Sequence, residues 1–88
     1  MTWRIEWSLT ASKAFLKLDL VERRRIAQYL QQRVAGLDDP RRLGRALKGE
    51  KRGIWRYRVG DYRLLCRIED DRLRILVLKI GHRREVYR

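Results

Sequence analysis

The chain has one cysteine, one histidine, one proline and no apolar run longer than the four residues Ile75 to Leu78. A lone Cys66 rules out an intramolecular disulfide and a multi-cysteine zinc site, and it reads most simply as a small buried apolar side chain. A lone His82 rules out any acid–base scheme that needs two imidazoles. Asp70 and Asp71 are adjacent in the second half and read as turn formers that point apart. No carboxylate pair therefore suggests a metal-dependent site. Four apolar residues cannot cross a bilayer. The N-terminus lacks a basic segment followed by a long apolar stretch, so no signal peptide is expected. These absences fit a soluble cytoplasmic protein with no cofactor and no membrane partner. Repeats and low-complexity tracts are also missing. The 88 residues suit one domain, 1–88, with one modest core.

Acid is scarce as well: 11 Asp and Glu stand against 23 Lys and Arg, a net charge of +12. Such an excess repels itself in the folded state unless a polyanion or an acidic partner neutralises it. Nucleic acid is the commonest polyanion, because Lys and Arg displace counterions from its phosphates. Residues 1–44 carry 9 basic and 5 acidic side chains, whereas residues 45–88 carry 14 and 6. The second half is therefore where an anion-binding surface is expected. Most of its cations are Arg, whose planar fork binds phosphate bidentately and stacks on bases.

Hydrophobic residues make up 44% of the chain, enough for a core. Residues 2–7 alternate polar and apolar, which predicts a half-buried strand with Trp3, Ile5 and Trp7 on one face. Ser8 or Thr10 can cap a helix in which Ala11, Ala14, Phe15 and Leu18 form the apolar stripe. Asp19 and Glu22 resemble a capping box for a second helix, with Ile26, Tyr29, Leu30 and Val34 inward and a stop near Gly36. Residues 38–53 read as a polar connection pinned by Leu43 and Leu47. Three strands follow: Ile54 to Val59, Tyr62 to Ile68 and Leu73 to Ile80, with turns at Gly60-Asp61 and Asp70-Asp71. Gly81 is expected to end the sheet and His82 to Arg88 to form a tail. The expected fold is α+β, in the order β-α-α-β-β-β. A helical hairpin packs on one face of a twisted, mostly antiparallel sheet.

The Gly60-Asp61 turn fixes a register. Two loop residues put Val59 opposite Tyr62, and opposed residues share a face. Trp55, Tyr57, Val59, Tyr62, Leu64 and Cys66 then lie under the helices. Arg56, Arg58, Arg63, Leu65 and Arg67 lie on the other side, where three arginines gather closely enough to repel unless an anion sits among them. The same register, continued through the Asp70-Asp71 turn, adds Leu76, Leu78 and Ile80 to the arginine face. That mixed basic and apolar surface calls for a protein partner or a tail folded over it. A solvated polar face with salt bridges is the plain alternative, but few carboxylates are in register to pair with all three arginines. Arg83 and Tyr87 read either as a frayed tail or as a cation and a stacking ring brought back over the sheet. Lys48, Lys51 and Arg52 suit non-specific phosphate contact or a solvated loop about equally. His82 is more often structural than catalytic. Trp3, Trp7 and Trp55 read as core.

The second half resembles the RelE toxins of bacterial toxin–antitoxin systems, within the wider RelE/ParE superfamily. The resemblance rests on Leu47-Lys48-Gly49, Trp55-Arg56-Tyr57-Arg58-Val59, Gly60-Asp61-Tyr62-Arg63-Leu64 and Gly81-His82-Arg83-Arg84-Glu85-Val86-Tyr87. It implies metal-independent cleavage of mRNA in the ribosomal A site, with the 2′-hydroxyl attacking the adjacent phosphate and the 5′-oxygen leaving. It implies a catalytic set of Arg56, Arg58, Arg63, Arg83 and Tyr87; beside that set, Lys48, Lys51, Arg52, His82 and Arg84 are expected as RNA contacts. It also implies an acidic RelB-like antitoxin, a toxin–antitoxin hetero-oligomer, and the ribosome and mRNA as further partners. Some members have Lys where this chain has Arg56 and Arg58. Arg keeps its proton far above neutrality, so these two residues are assigned to charge stabilisation and the general base is left open. Two other functions share the fold or the charge: inhibition of DNA gyrase, as in the ParE branch, and non-enzymatic RNA or ribosome binding.

Overall fold

A computed structural model describes residues 3–49 and 53–82. Strand β1 (Arg4–Trp7) enters helix α1 (Leu9–Leu16) through Ser8. The Ser8 hydroxyl accepts the Ala11 N–H at 3.0 Å and donates to the Leu78 carbonyl at 2.9 Å, so one side chain caps the helix and ties it to the sheet. Helix α2 (Leu20–Gln28) starts where the Asp19–Glu22 pattern predicts, but the reciprocal cap does not form. Glu22 leans forward to Arg25 at 3.7 Å instead. The helix then widens into a π-helical turn, Tyr29–Val34, closed by the Ala35 N–H donating to the Leu30 carbonyl at 2.8 Å. It ends just before Gly36.

The remaining strands are β2 (Arg45–Ala46), β3 (Trp55–Val59), β4 (Tyr62–Glu69) and β5 (Arg74–His82). Their spatial order is β1-β5-β4-β3-β2; β1 runs parallel to β5 and the other pairs are antiparallel. The fold class and the helical hairpin are as expected. Strand β2 lies inside the predicted polar connection. Gly44 makes it possible: its φ is +77°, and a Cβ there would collide with the Arg56 carbonyl oxygen and come within 2.7 Å of Trp55 Nε1. Only glycine lets the chain lie this close to β3.

The hairpin register is the predicted one, with Val59 opposite Tyr62, Arg58 opposite Arg63 and Trp55 opposite Cys66. Gly60 takes φ +60° while Asp61 does not enter the left-handed region, the II′ arrangement that suits a two-residue hairpin loop. The next pairing departs from expectation. Leu65 lies opposite Lys79 but Cys66 opposite Val77, so β5 carries an extra residue at Leu78. A regular register would turn Lys79 into the core and Ile80 out of it. The bulge reverses both: Ile80 is 6% exposed within the core cluster, and Lys79 joins the arginine face. Burial of an aliphatic side chain in exchange for a solvated ammonium explains why the irregularity persists. Two further expectations change. Strand β5 runs through Gly81 to His82, and the turn before it is a 3₁₀ turn, Asp70–Arg72, followed by Leu73 at φ +49°.

The core lies between the sheet and the hairpin. Ala11, Ile26, Leu30 and Val34 from the helices meet Tyr57, Val59, Leu64, Cys66, Ile75 and Val77 from the sheet. Trp3 is buried; Trp7 and Trp55 are half-buried against the cluster. The Tyr57 hydroxyl donates to the Pro40 carbonyl at 2.7 Å, and Trp55 Nε1 donates to the Leu43 carbonyl at 2.7 Å. Leu43 thus pins the connection as expected and aligns it with β3.

Candidate nucleic-acid interface

The sheet face away from the helices is built in rungs. One rung runs Arg45–Arg56–Leu65–Lys79 across β2, β3, β4 and β5. The next runs Arg58–Arg63–Gly81. Opposed Cβ atoms lie about 5 Å apart, so Arg45, Arg56, Arg58 and Arg63 converge at one end of the sheet. Arg56 and Arg63 bury their Nε atoms, which lays these side chains along the sheet, while Arg58 is exposed. Tyr29, Gly44, Arg45, Arg56 and Arg58 line a groove of about 420 Å³ at the β2 edge. Burial raises the Tyr29 phenol above its ordinary pKa, partly offset by nearby Arg33. The phenol therefore stays protonated and can donate to an anion in the groove.

Carboxylates on this face are held at the opposite end. Arg74 Nε donates to Glu69 at 2.6 Å and Arg74 Nη1 to Glu6 at 3.1 Å, and Arg4 adds a 3.7 Å contact to Glu6. Asp70 is gripped by both terminal nitrogens of Arg41 at 2.9 and 2.8 Å. Hydrogen bonding to Arg74 and to Arg41 holds the Glu69 and Asp70 carboxyls below the usual range. No described carboxylate forms an ion pair with Arg45 or Arg58. The face is thus polarised, with its acidic groups already matched and a concentrated positive end.

The structure brings together Arg56, Arg58 and Arg63, the strand-borne part of the predicted set. Arg83 and Tyr87, with Lys51, Arg52 and Arg84, lie outside the described residues. Lys48 is exposed on the connection after β2. His82 is not on the arginine face: it lies opposite Tyr62 on the helix side, with ring centroids 6.0 Å apart. Three residues escaped the sequence reading. A two-residue strand shows no periodicity, so Arg45 read as loop. Tyr29 read as a core position, although a π-helical turn is a frequent mark of functional sites. Lys79 reaches the face only through the bulge. Among the described residues no group of three His, Cys, Asp or Glu side chains is placed to hold a metal, and no helix is long and apolar enough to cross a membrane.

A helical hairpin on one face of a five-stranded mixed sheet, with arginines gathered on the other, defines the class: a RelE-like toxin of the RelE/ParE superfamily. The RelBE2 toxin–antitoxin complex of Mycobacterium tuberculosis contains a chain that superposes with a TM-score of 0.84 at 26% identity, covering 93% of this chain and 92% of that one. The isolated RelE toxin of Escherichia coli superposes at 0.71 over 91% of this chain and 83% of its own, at 17% identity. The family model described as the ParE toxin of type II toxin–antitoxin systems, parDE, matches residues 5–87, and the chain belongs to that family. In sequence it is 40% identical over 50 residues to toxin RelG of M. tuberculosis, a match covering 57% of this chain and 58% of that protein. The chain thus spans somewhat more than half the length of the curated relative it matches.

Proposed function

We propose that the chain is a toxin that cleaves mRNA in the ribosomal A site and is held inactive by an acidic RelB-like antitoxin in a hetero-oligomer. The observation that carries this reading is the convergence of Arg45, Arg56, Arg58 and Arg63 at one end of a sheet face whose acids are bound at the other. Such an end favours a phosphodiester whose negative charge grows during reaction. The 2′-hydroxyl attacks the adjacent phosphorus, the bond to the 5′-oxygen breaks, and the proton lost from the 2′-oxygen is balanced by one gained at the 5′-oxygen. Arg56 and Arg58 stabilise the pentavalent phosphate, Arg63 grips a non-bridging oxygen, and Tyr29 adds a neutral donor. Arg83 serves the leaving oxygen and Tyr87 orients the base or the 2′-hydroxyl. Lys48, Lys51, Arg52, His82 and Arg84 complete the RNA contacts. Arginine is a poor proton acceptor, so positioning by the ribosome carries much of the rate.

The antitoxin reading draws on the relative solved as a toxin–antitoxin complex and on surface apolarity. Leu9, Leu16, Leu20 and Val21 are 52–72% exposed on the helical hairpin. An apolar groove lined by Trp7, Phe15, Leu16 and Ala27 lies beside them. This is more apolar surface than a lone small domain usually shows.

The test is to induce the chain alone and map mRNA 5′ ends. Cleavage within codons of translated messages is expected; growth arrest with intact messages rules the reading out. The match to the ParE family model favours a second reading, inhibition of DNA gyrase. DNA damage and loss of supercoiling with uncut mRNA would establish that one instead. Normal growth with RNA binding retained would reduce the chain to a binding module.

A further inference from the structure

A second groove among the described residues lies off the arginine face. It holds about 530 Å³ and opens on the other side of the same sheet end, between α1 and the ends of β4 and β5. Its floor is apolar, made by Ala14, Leu18 and Ile80. Lys13 of α1 and Lys17, which caps the C-terminal end of that helix, line it. They are four residues apart on one helix face, about 6 Å between Cβ atoms. Both are exposed, and neither forms an ion pair with a described residue. Tyr62 and His82 line the other side, with rings in edge contact at 79°. An apolar floor beside two aromatic rings suits the face of a base, and two cations one helical turn apart suit successive phosphates.

Position adds a second argument. Tyr62 and Arg63 are consecutive on β4, so their side chains leave opposite faces of the sheet. On β5, Gly81 lies opposite Arg63 and the next residue, His82, sends its side chain to the same face as Tyr62. A flexible polyanion bound at Arg58 and Arg63 needs only to pass round the end of the sheet to meet Tyr62, His82 and the two lysines.

We propose that this groove is a second RNA subsite, which holds a nucleotide flanking the phosphate bound on the arginine face. The proposal rests on the reading of that face as RNA-binding. It favours single-stranded RNA over an acidic amphipathic peptide, because ring pairs stack on any base and the groove continues the cationic end of the sheet.

The test uses the full chain and a fluorescein-labelled hexanucleotide with 2′-O-methyl groups, which binds but cannot be cleaved. Its affinity is compared between the wild type and the Lys13→Glu/Lys17→Glu variant, with the thermal midpoint as a check on folding. Affinity should fall at least tenfold, and the slope of log K against log salt should drop by about 1.4 for two lost phosphate contacts on a single strand. Methyl resonances of Ala14, Leu18 and Ile80 should shift on titration of the wild type, and the Lys13→Arg/Lys17→Arg variant should restore binding. Equal affinity in the Glu variant, or shifts confined to residues of the arginine face, overturns the proposal. So does a titration in which an acidic amphipathic peptide moves those methyl resonances and the oligonucleotide does not. Groove binding together with uncut mRNA would sink the cleavage reading and leave this subsite standing.

Discussion

Arg58 and Arg63 face each other directly across the hairpin, and on the proposed reading their repulsion is relieved by a bound phosphate. Arg58→Ala should therefore lower mRNA cleavage by about a hundredfold or more, the usual loss when a donor to a developing charge is removed. It should leave the thermal midpoint unchanged or slightly raised. Arg58→Lys should recover only part of the rate, since a point charge replaces a planar fork. Primer extension on translating extracts and a melting curve check both halves. This cluster was legible from the sequence because one Gly60-Asp61 turn sets the register and register sets the face. Arg45 was not, because its neighbour relation to Arg56 comes from a close approach of backbones across Gly44. Cys66 was read correctly as a small buried side chain: it is fully buried, and burial pushes its thiol well above the ordinary range. It should resist alkylation at pH 8 in the native protein and react once unfolded, as mass spectrometry would record.

The elements were predictable wherever a hydrophobic period ran for a full turn or strand. Helices α1 and α2, the hairpin of β3 and β4, and most of β5 follow from such patterns. The failures are where tertiary contact overrides a local pattern. Strand β2 exists because Gly44 permits it and because Leu43 and Trp55 hold the connection in place. Gly44→Ala should strain the left-handed backbone and collide with β3, costing on the order of 1–3 kcal/mol. It should also displace Arg45, so cleavage should fall more than stability alone explains. Strand β5 differs from its simple reading by one residue, and that residue decides which side chains belong to the core. Ile80→Ala is the discriminating substitution. Within the core it should cost about 2–4 kcal/mol; on a solvent-facing sheet position the loss would stay below about 1 kcal/mol. Chemical denaturation separates the two.

At the scale of the whole molecule, a net charge of +12 means that the few acids matter more than their number suggests. Three of those on the sheet and its turns are tied to arginine: Glu69 and Glu6 to Arg74, and Asp70 to Arg41. Glu69 and Asp70 have carboxyl pKa values lowered on folding, chiefly by these hydrogen bonds. A lowered carboxyl pKa stabilises the folded state above its unfolded value and loses that effect as pH falls through the folded one. The thermal midpoint should therefore be nearly flat from pH 8 to about 5. It should then fall below about pH 4, where unfolded carboxylates take up protons first. Protonation also removes the negative charge that offsets the arginines, so repulsion steepens the fall. Asp70→Asn should lower the midpoint modestly at pH 7, as an exposed pair allows, and should make the profile shallower below pH 4. If the acid-labile step lay elsewhere, wild type and Asp70→Asn profiles would run parallel. Inorganic phosphate should raise the midpoint more than chloride at equal ionic strength, because an anion seated among Arg45, Arg56, Arg58 and Arg63 stabilises by binding rather than by screening. The Arg58→Ala variant should lose most of that phosphate-specific gain while keeping the response to chloride, which separates a built anion site from a diffuse field.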